Sequence, residues 1–205
     1  MTAPAARQSR PVGLLATVRE WLLFARAAVA NPRAIGAVLP SSPGLARRMA
    51  GFVDPDATGL VVELGAGTGV VTEALLARGI PASRLVVVEL SATLIEVLRG
   101  RFPNLAVIQG DAAGLRDLIQ ASGVQRATGP TAVVSSLPLR SLSAAKVTAI
   151  VREIDALVRP GGRWIQFTYA LAHRRLDPGF HKAHTSLVWR NVPPARVDVY
   201  TPVPT

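Results

Sequence analysis

The 205-residue chain has no cysteine, which excludes disulfides, thiolate metal sites and a cysteine nucleophile. Lysine is nearly missing too: Lys146 and Lys182 are the whole set, so arginine carries the positive charge. Histidine is confined to His173, His181 and His184. The last two are three apart and fit one helix face, but no Glu-x-x-His partner accompanies them, so no metal site is expected. Acidic residues are scarce at both ends. Residues 1–50 hold seven arginines against Glu20 alone, giving +6. Residues 51–139 hold six arginines and eight acids, giving −2, and residues 140–205 hold ten basic residues and four acids, giving +6. Basic ends around a near-neutral centre suit an anionic partner, either nucleic acid or an anionic membrane surface.

A long uninterrupted apolar run is also lacking. Residues 12–30 come nearest, with Leu14, Leu15, Val18, Trp21, Leu22, Ala25 and Val29 on a broad apolar face. Arg19 and Glu20 sit near the middle of that stretch, where each charge costs roughly 2.5–3.5 kcal/mol on insertion. A helix lying in a membrane interface fits better, with Trp21 at the headgroup boundary and Arg19 and Arg26 toward phosphates. A helix docked on the domain core is the other reading, and one helix can do both. No secretory signal peptide is expected. Asn31-Pro32 ends the helix, and Ser41 or Ser42 can cap another from Pro43 to about Phe52.

What is present in strength is hydrophobic content, 49% of the chain, enough for one sizeable core. Its organising stretch is Leu60-Val61-Val62-Glu63-Leu64-Gly65-Ala66-Gly67-Thr68-Gly69. The apolar run reads as a strand buried on both faces. The glycines permit a sharp turn and a close backbone approach to a ligand, and a helix start at Val70 favours an anionic group there. Gly-x-Gly-x-Gly differs from the Gly-x-Gly-x-x-Gly of dinucleotide binders. Glu63, just before it, suits a cationic ammonium, as in S-adenosylmethionine.

Further buried strands are expected at Arg84–Glu89, 105–109, 131–135 and 163–169. Two more are expected at 185–189 and 196–200, with helices at 70–78, from Ser91 to Arg101, at 115–121 and at 143–158. Glu89 lies twenty positions past Gly69, where such folds place a ribose-binding carboxylate. Asp111 follows the third strand and can accept from an adenine amino group. Three acids at the ends of three successive parallel strands converge on one sheet edge, where such folds bind ligands.

The glycine stretch resembles motif I of the class I methyltransferases, and Arg159-Pro160-Gly161-Gly162 resembles the turn before their fifth strand. More specifically, NPRAIGAVLPSS, VVELGAGTGVVTEALL, SSLPL, RPGGRWIQFTYA and VWRNVPPARV are similar to stretches of the bacterial phospholipid N-methyltransferases, across residues 31 to 197. These convert phosphatidylethanolamine to phosphatidylcholine. The Asn/Asp-Pro-Pro-Tyr element of amino-methylating nucleic-acid enzymes is replaced here by Ser135-Ser136-Leu137-Pro138.

The resemblance implies an α/β, Rossmann-like fold: a seven-stranded, mostly parallel sheet with helices on both faces, plus the N-terminal amphipathic helix. Residues 1–42 would be a membrane-associating segment and 43–205 the methyltransferase domain. Glu63, Gly65, Gly67, Gly69, Glu89 and Asp111 would hold S-adenosylmethionine, released as S-adenosylhomocysteine, with Ser41, Ser42, Ala66, Thr68, Leu90, Ala112 and Ser135 completing the site. Ser136, the backbone around Leu137, and Tyr169 would face the amine. Arg19, Trp21 and Arg26 would meet the membrane. The expected protein is a cytoplasmic monomer, peripheral on the inner face of a bacterial membrane. Phosphatidylethanolamine is its expected substrate and nucleic acid is not expected as a partner; an RNA or small-amine methyltransferase stays as the alternative.

Overall fold

Valine-rich runs, VVEL, LVVVE and AVVS, write the centre of the sheet, so short and so deeply buried that both faces must be covered. The computed structural model of the chain describes residues 42–124, 131–158, 161–169, 179–189, 191 and 194–203. Its strands are β1 Val61–Leu64, β2 Leu85–Glu89, β3 Ala106–Gln109, β4 Ala132–Ser135, β5 Arg163–Thr168, β6 Phe180–Val188 and β7 Ala195–Pro202. The helices are α1 Pro43–Ala50, α2 Val70–Ala77, α3 Ala92–Arg101, α4 Leu115–Ala121 and α5 Ala144–Val158.

The strands form one sheet in the order β3-β2-β1-β4-β5-β7-β6. The first five are parallel, and β7 runs antiparallel between β5 and β6. The chain works outward from β1 to β3, then returns to add β4 on β1's other side. That reversal opens a crevice at the strands' carboxyl ends, the place where open α/β sheets take ligands.

Alternation along each strand divides the core into two layers. Val62, Leu64, Val86, Val88, Val133 and Trp164 share one layer with Leu115 and Ile119 of α4 and Ile150, Ile154 and Val158 of α5. Helices α1, α2 and α3 cover the other face with buried Leu45, Met49, Val71, Leu75, Ile95 and Leu98. Trp164 is fully buried, its ring 4.9 Å from that of Tyr200 and 5.4 Å from that of Phe180. At the start of α1, the Ser42 hydroxyl accepts from the Leu45 N–H at 3.2 Å, with Pro43 at the first helical position. A cap of this kind stabilises by about 1 kcal/mol.

Four sequence expectations change. β6 starts at Phe180 rather than Thr185, and Trp189 falls in the turn after it. Its first half, His181 to His184, is exposed on the sheet's edge and shows no apolar alternation. Only its pairing with β7 makes it a strand. His181 and His184 therefore lie on a strand, with a register shift between Lys182 and His184, and His184 stacks at 5.0 Å on Phe52. β5 and α1 end one and two residues earlier than expected, at Thr168 and Ala50. The N-terminal helix with Arg19, Trp21 and Arg26, together with Ser41, His173 and the Arg159-Pro160 pair, lies outside the described residues.

Candidate cofactor and acceptor site

The loop after β1 turns on three left-handed glycines: Gly65 at φ 70°, Gly67 at φ 59° and Gly69 at φ 85°. Side chains are disfavoured in that region. Each glycine also has its own spatial reason. A Cβ on Gly65 would lie 2.8 Å from Leu137 Cδ2, and one on Gly69 would lie 2.5 Å from the Phe102 ring. A Cβ on Gly67 would meet nothing within 4 Å, so the loop's middle borders open space, as a ligand cradle requires. Ala66 and Thr68 fill the alternate positions, and the Thr68 carbonyl accepts from Arg101.

Glu89 ends β2 and clasps this loop. Its Oε2 accepts from Gly67 N–H at 2.9 Å, while Oε1 accepts from Leu90 and Ser91 N–H at 2.9 and 3.0 Å. Ser91 occupies the N-cap position of α3, yet its side chain makes no capping bond; Glu89 takes up the neighbouring N–H groups instead. Leu90 is 65% exposed beside it, an apolar surface of the kind a flat ring can lie on.

Glu63 is fully buried in β1. Its Oε2 accepts from Thr72 Oγ1 at 2.7 Å in the first turn of α2, while Oε1 has no partner among the described residues. Burial lifts this carboxyl from the ordinary carboxylate range to about 7; the Thr72 bonds oppose the shift and the Glu89 charge adds to it. A buried acceptor without a donor costs about 1–3 kcal/mol, and a ligand ammonium would supply both donor and charge.

Asp111 sits after β3. Its Oδ1 accepts from Ala113 N–H at 2.9 Å, opening the turn that contains Ala112. Its other oxygen pairs with Lys146 of α5. The Lys146 bond, then the Ala113 N–H, hold its carboxyl below the usual carboxylate range. Nothing in the local sequence announces Lys146, which lies 35 residues away.

Beyond β4 the polar groups are neutral. Ser135 Oγ accepts from Leu137 N–H at 3.3 Å, and Ser136 N–H donates to Leu64 O at 2.9 Å. Ser136 Oγ is buried without a partner among the described residues. The Leu137 carbonyl, a candidate to orient the amine, accepts from Leu139 N–H at 2.9 Å and from Gln166 Nε2 at 3.0 Å. Both of its lone pairs are thus used within the protein. Tyr169 follows β5 with its ring 5.3 Å from that of Phe167, and a side-chain hydrogen bond joins it to Asn191. Burial raises its hydroxyl above the usual phenol value, so it stays a neutral phenol at pH 7.

Sequence reasoning missed Thr72, Lys146, Gln166 and Asn191, each an ordinary polar residue whose partner is distant in sequence. It also missed the buried Arg196–Asp198 pair, 2.9 Å apart on β7, where Asp198 also accepts from Thr185 at 2.7 Å. A charged pair alternating through an otherwise apolar strand was the available signal.

These features fit S-adenosylmethionine: an unmatched buried carboxylate for its ammonium, a glycine loop bordering open space, and acids at successive strand ends. Residues 61–162 match a family described as a methyltransferase domain. An ornithine lipid N-methyltransferase from Singulisphaera acidiphila is 31% identical over 186 residues, spanning 87% of this chain and 94% of that protein. A probable ribosomal RNA small subunit methyltransferase A from Methanospirillum hungatei is 41% identical over 78 residues, which is 35% of this chain and 29% of that protein. Among solved structures, TrmN from Thermus thermophilus superposes with a TM-score of 0.63 at 21% identity, over 84% of this chain and 52% of its own. The chain thus spans about half of TrmN's length, and that likeness speaks for the fold. Sequence likeness over nearly the whole of one methyltransferase and the geometry at the β1–β4 crevice agree: the chain belongs to the class I S-adenosylmethionine-dependent methyltransferases, and S-adenosylmethionine is its cofactor.

Proposed function

We propose that the protein N-methylates a membrane lipid whose headgroup carries a primary amine. The observation that carries this reading is the extent of likeness: a lipid N-methyltransferase matches nearly end to end, whereas the ribosomal RNA enzyme matches only a part. The chemistry beyond β4 supports it. Ser135-Ser136-Leu137-Pro138 offers neither the Asn/Asp nor the aromatic with which nucleic-acid enzymes hold a planar amine. Phosphatidylethanolamine, methylated stepwise toward phosphatidylcholine, and ornithine lipid both carry a suitable primary amine. The first follows from the sequence resemblance, the second from the relative's name.

The cofactor supplies an electrophilic methyl on a sulfonium. The protein's own part is to bind and align. Glu63 holds the cofactor's ammonium, Glu89 the ribose hydroxyls and Asp111 the adenine amino group. The glycine loop gives the methionine and ribose end a close approach. The acceptor amine, whose ordinary pKa by analogy with lysine is about 10, must shed a proton to expose its lone pair. It must then lie about 3–3.5 Å from the methyl carbon, in line with the bond that breaks. Ser136 and Tyr169 line its approach; the Tyr169 ring can face the charge growing on nitrogen.

A lipid substrate has negligible free concentration in water, so the protein works at an interface, as a monomer on the inner face of the bacterial membrane. Residues 12–30, with Arg19, Trp21 and Arg26, are the proposed anchor. Among the described residues no helix is long and apolar enough to cross a membrane.

The test uses the full chain, methyl-labelled cofactor and vesicles of anionic lipid containing phosphatidylethanolamine or ornithine lipid, beside ribosomal RNA. Label extracted into chloroform, and raised by anionic lipid, is the expected result. Label in RNA with none in lipid would replace this reading with the RNA alternative.

A further inference from the structure

Two side chains at the carboxyl ends of β4 and β5 have buried oxygens with no donor among the described residues: Ser136 Oγ and Gln166 Oε1. Gln166 is the more informative. It is 4% exposed and stands beside Ser135 in the β4–β5 pairing. Its Nε2 donates to Leu137 O at 3.0 Å and to Phe167 O at 2.8 Å. A nitrogen facing two carbonyls must be the NH2 end of the amide, so the amide's orientation is fixed by chemistry. Oε1 is then locked in place as an acceptor, and an unmet acceptor at this depth calls for an explanation. The neighbouring Leu137 carbonyl has both lone pairs engaged, so it cannot serve an incoming amine. Gln166 holds that carbonyl with one end of its amide and offers an oxygen with the other.

We propose that Gln166 is a specificity-determining residue whose Oε1 receives an N–H of the acceptor amine. This rests on the lipid N-methylation reading. In each transfer the nitrogen lone pair forms the new N–C bond as the S–C bond breaks and its electron pair returns to sulfur. Positive charge grows on nitrogen, so an N–H···O bond strengthens toward the transition state and accelerates the step. The proton goes to water afterward, because an amide oxygen is far too weak a base to keep it. A neutral primary amine has two N–H groups and a monomethyl amine has one. A dimethyl amine has none, before or during its transfer. Gln166 therefore favours the first two methylations and is silent in the third.

That pattern gives a readout that a purely structural role cannot imitate. Gln166→Met keeps the side chain's length and removes its polar atoms. In vesicles of one anionic composition, the acceptors are phosphatidylethanolamine and, in parallel, ornithine lipid, each in its unmethylated, monomethyl and dimethyl forms. We expect kcat to fall about tenfold or more on the first two and to stay within about twofold on the dimethyl lipid. Cofactor affinity by calorimetry should also stay within about twofold. Gln166→Leu provides the same ratio should the methionine variant not fold. An equal loss on all three methylation states, or no loss on any, with wild type active on either lipid series, would overturn this inference alone. A wild type inactive on both series would overturn the lipid reading and this inference with it.

Discussion

On the β1, β2 and β3 side of the crevice the polar side chains are carboxylates; on the β4 and β5 side they are neutral. The carboxylates are largely matched in advance. Glu89 accepts three backbone N–H groups, and Asp111 accepts one along with Lys146. On the other side Ser136 Oγ and Gln166 Oε1 go unmatched among the described residues. A ligand that is the same in every cycle can be met by a rigid, satisfied frame. An acceptor whose N–H count falls with each methylation is met better by groups that wait. Glu63 bridges the two styles: it is a carboxylate, but one oxygen is unmatched.

If this division is real, variants on the first side should change cofactor affinity and variants on the second should change rate. The largest effect is expected for Glu89→Ala, which strips the acceptor from Gly67, Leu90 and Ser91 N–H together. Cofactor binding should weaken by about 1.5–3 kcal/mol, the range for hydrogen bonds to a charged group. Calorimetry giving wild-type affinity in a folded variant would take Glu89 out of the site.

Next comes pH. Glu63 titrates near 7 in the fold against 4.5 ordinarily, so between those values the folded protein binds more protons than the unfolded chain. Its contribution to stability is present below about 4.5 and is lost as pH rises through 7. An ammonium ligand needs the ionised form, so affinity should rise about tenfold from pH 6 to pH 8 with release of a proton. Calorimetry in buffers of different ionisation enthalpy reads both quantities, and Glu63→Gln should flatten the profile. A flat wild-type profile would mean that Glu63 does not face the ammonium.

The smallest effect is expected for Tyr169→Phe on the second side, which should lower the methylation rate by roughly fivefold while leaving cofactor affinity within about twofold. Loss of affinity with an unchanged rate would invert the comparison.

The first side was also the legible one. Glu63, the three glycines, Glu89 and Asp111 stand at strand ends that hydrophobic patterning locates, and the backbone they need is written locally as glycine. The five parallel strands were readable for the same reason, since each apolar run ended in turn chemistry, whereas the seven-stranded sheet with helices on both faces came from the resemblance to the class I methyltransferases. The second side depends on partners far apart in sequence. Gln166 meets Leu137 across 29 residues, and Tyr169 meets Asn191 across the whole of β6. Inside RWIQFT, a glutamine reads as an interruption of a strand. Only the β4–β5 register shows that it lies within reach of the loop after β4. The start of β6 was hidden differently: an edge strand with exposed His181, Lys182 and His184 carries no apolar period to detect.

That edge has a consequence for the protein in concentrated solution. The outer rim of β6 is the kind of row of backbone groups on which a strand from another molecule can nucleate and polymerise. Here a newcomer would find a ladder that slips register between Lys182 and His184, with a lysine and two histidines along its exposed half. The sheet therefore ends in a segment that discourages growth, and it is the half of β6 that carries no apolar period.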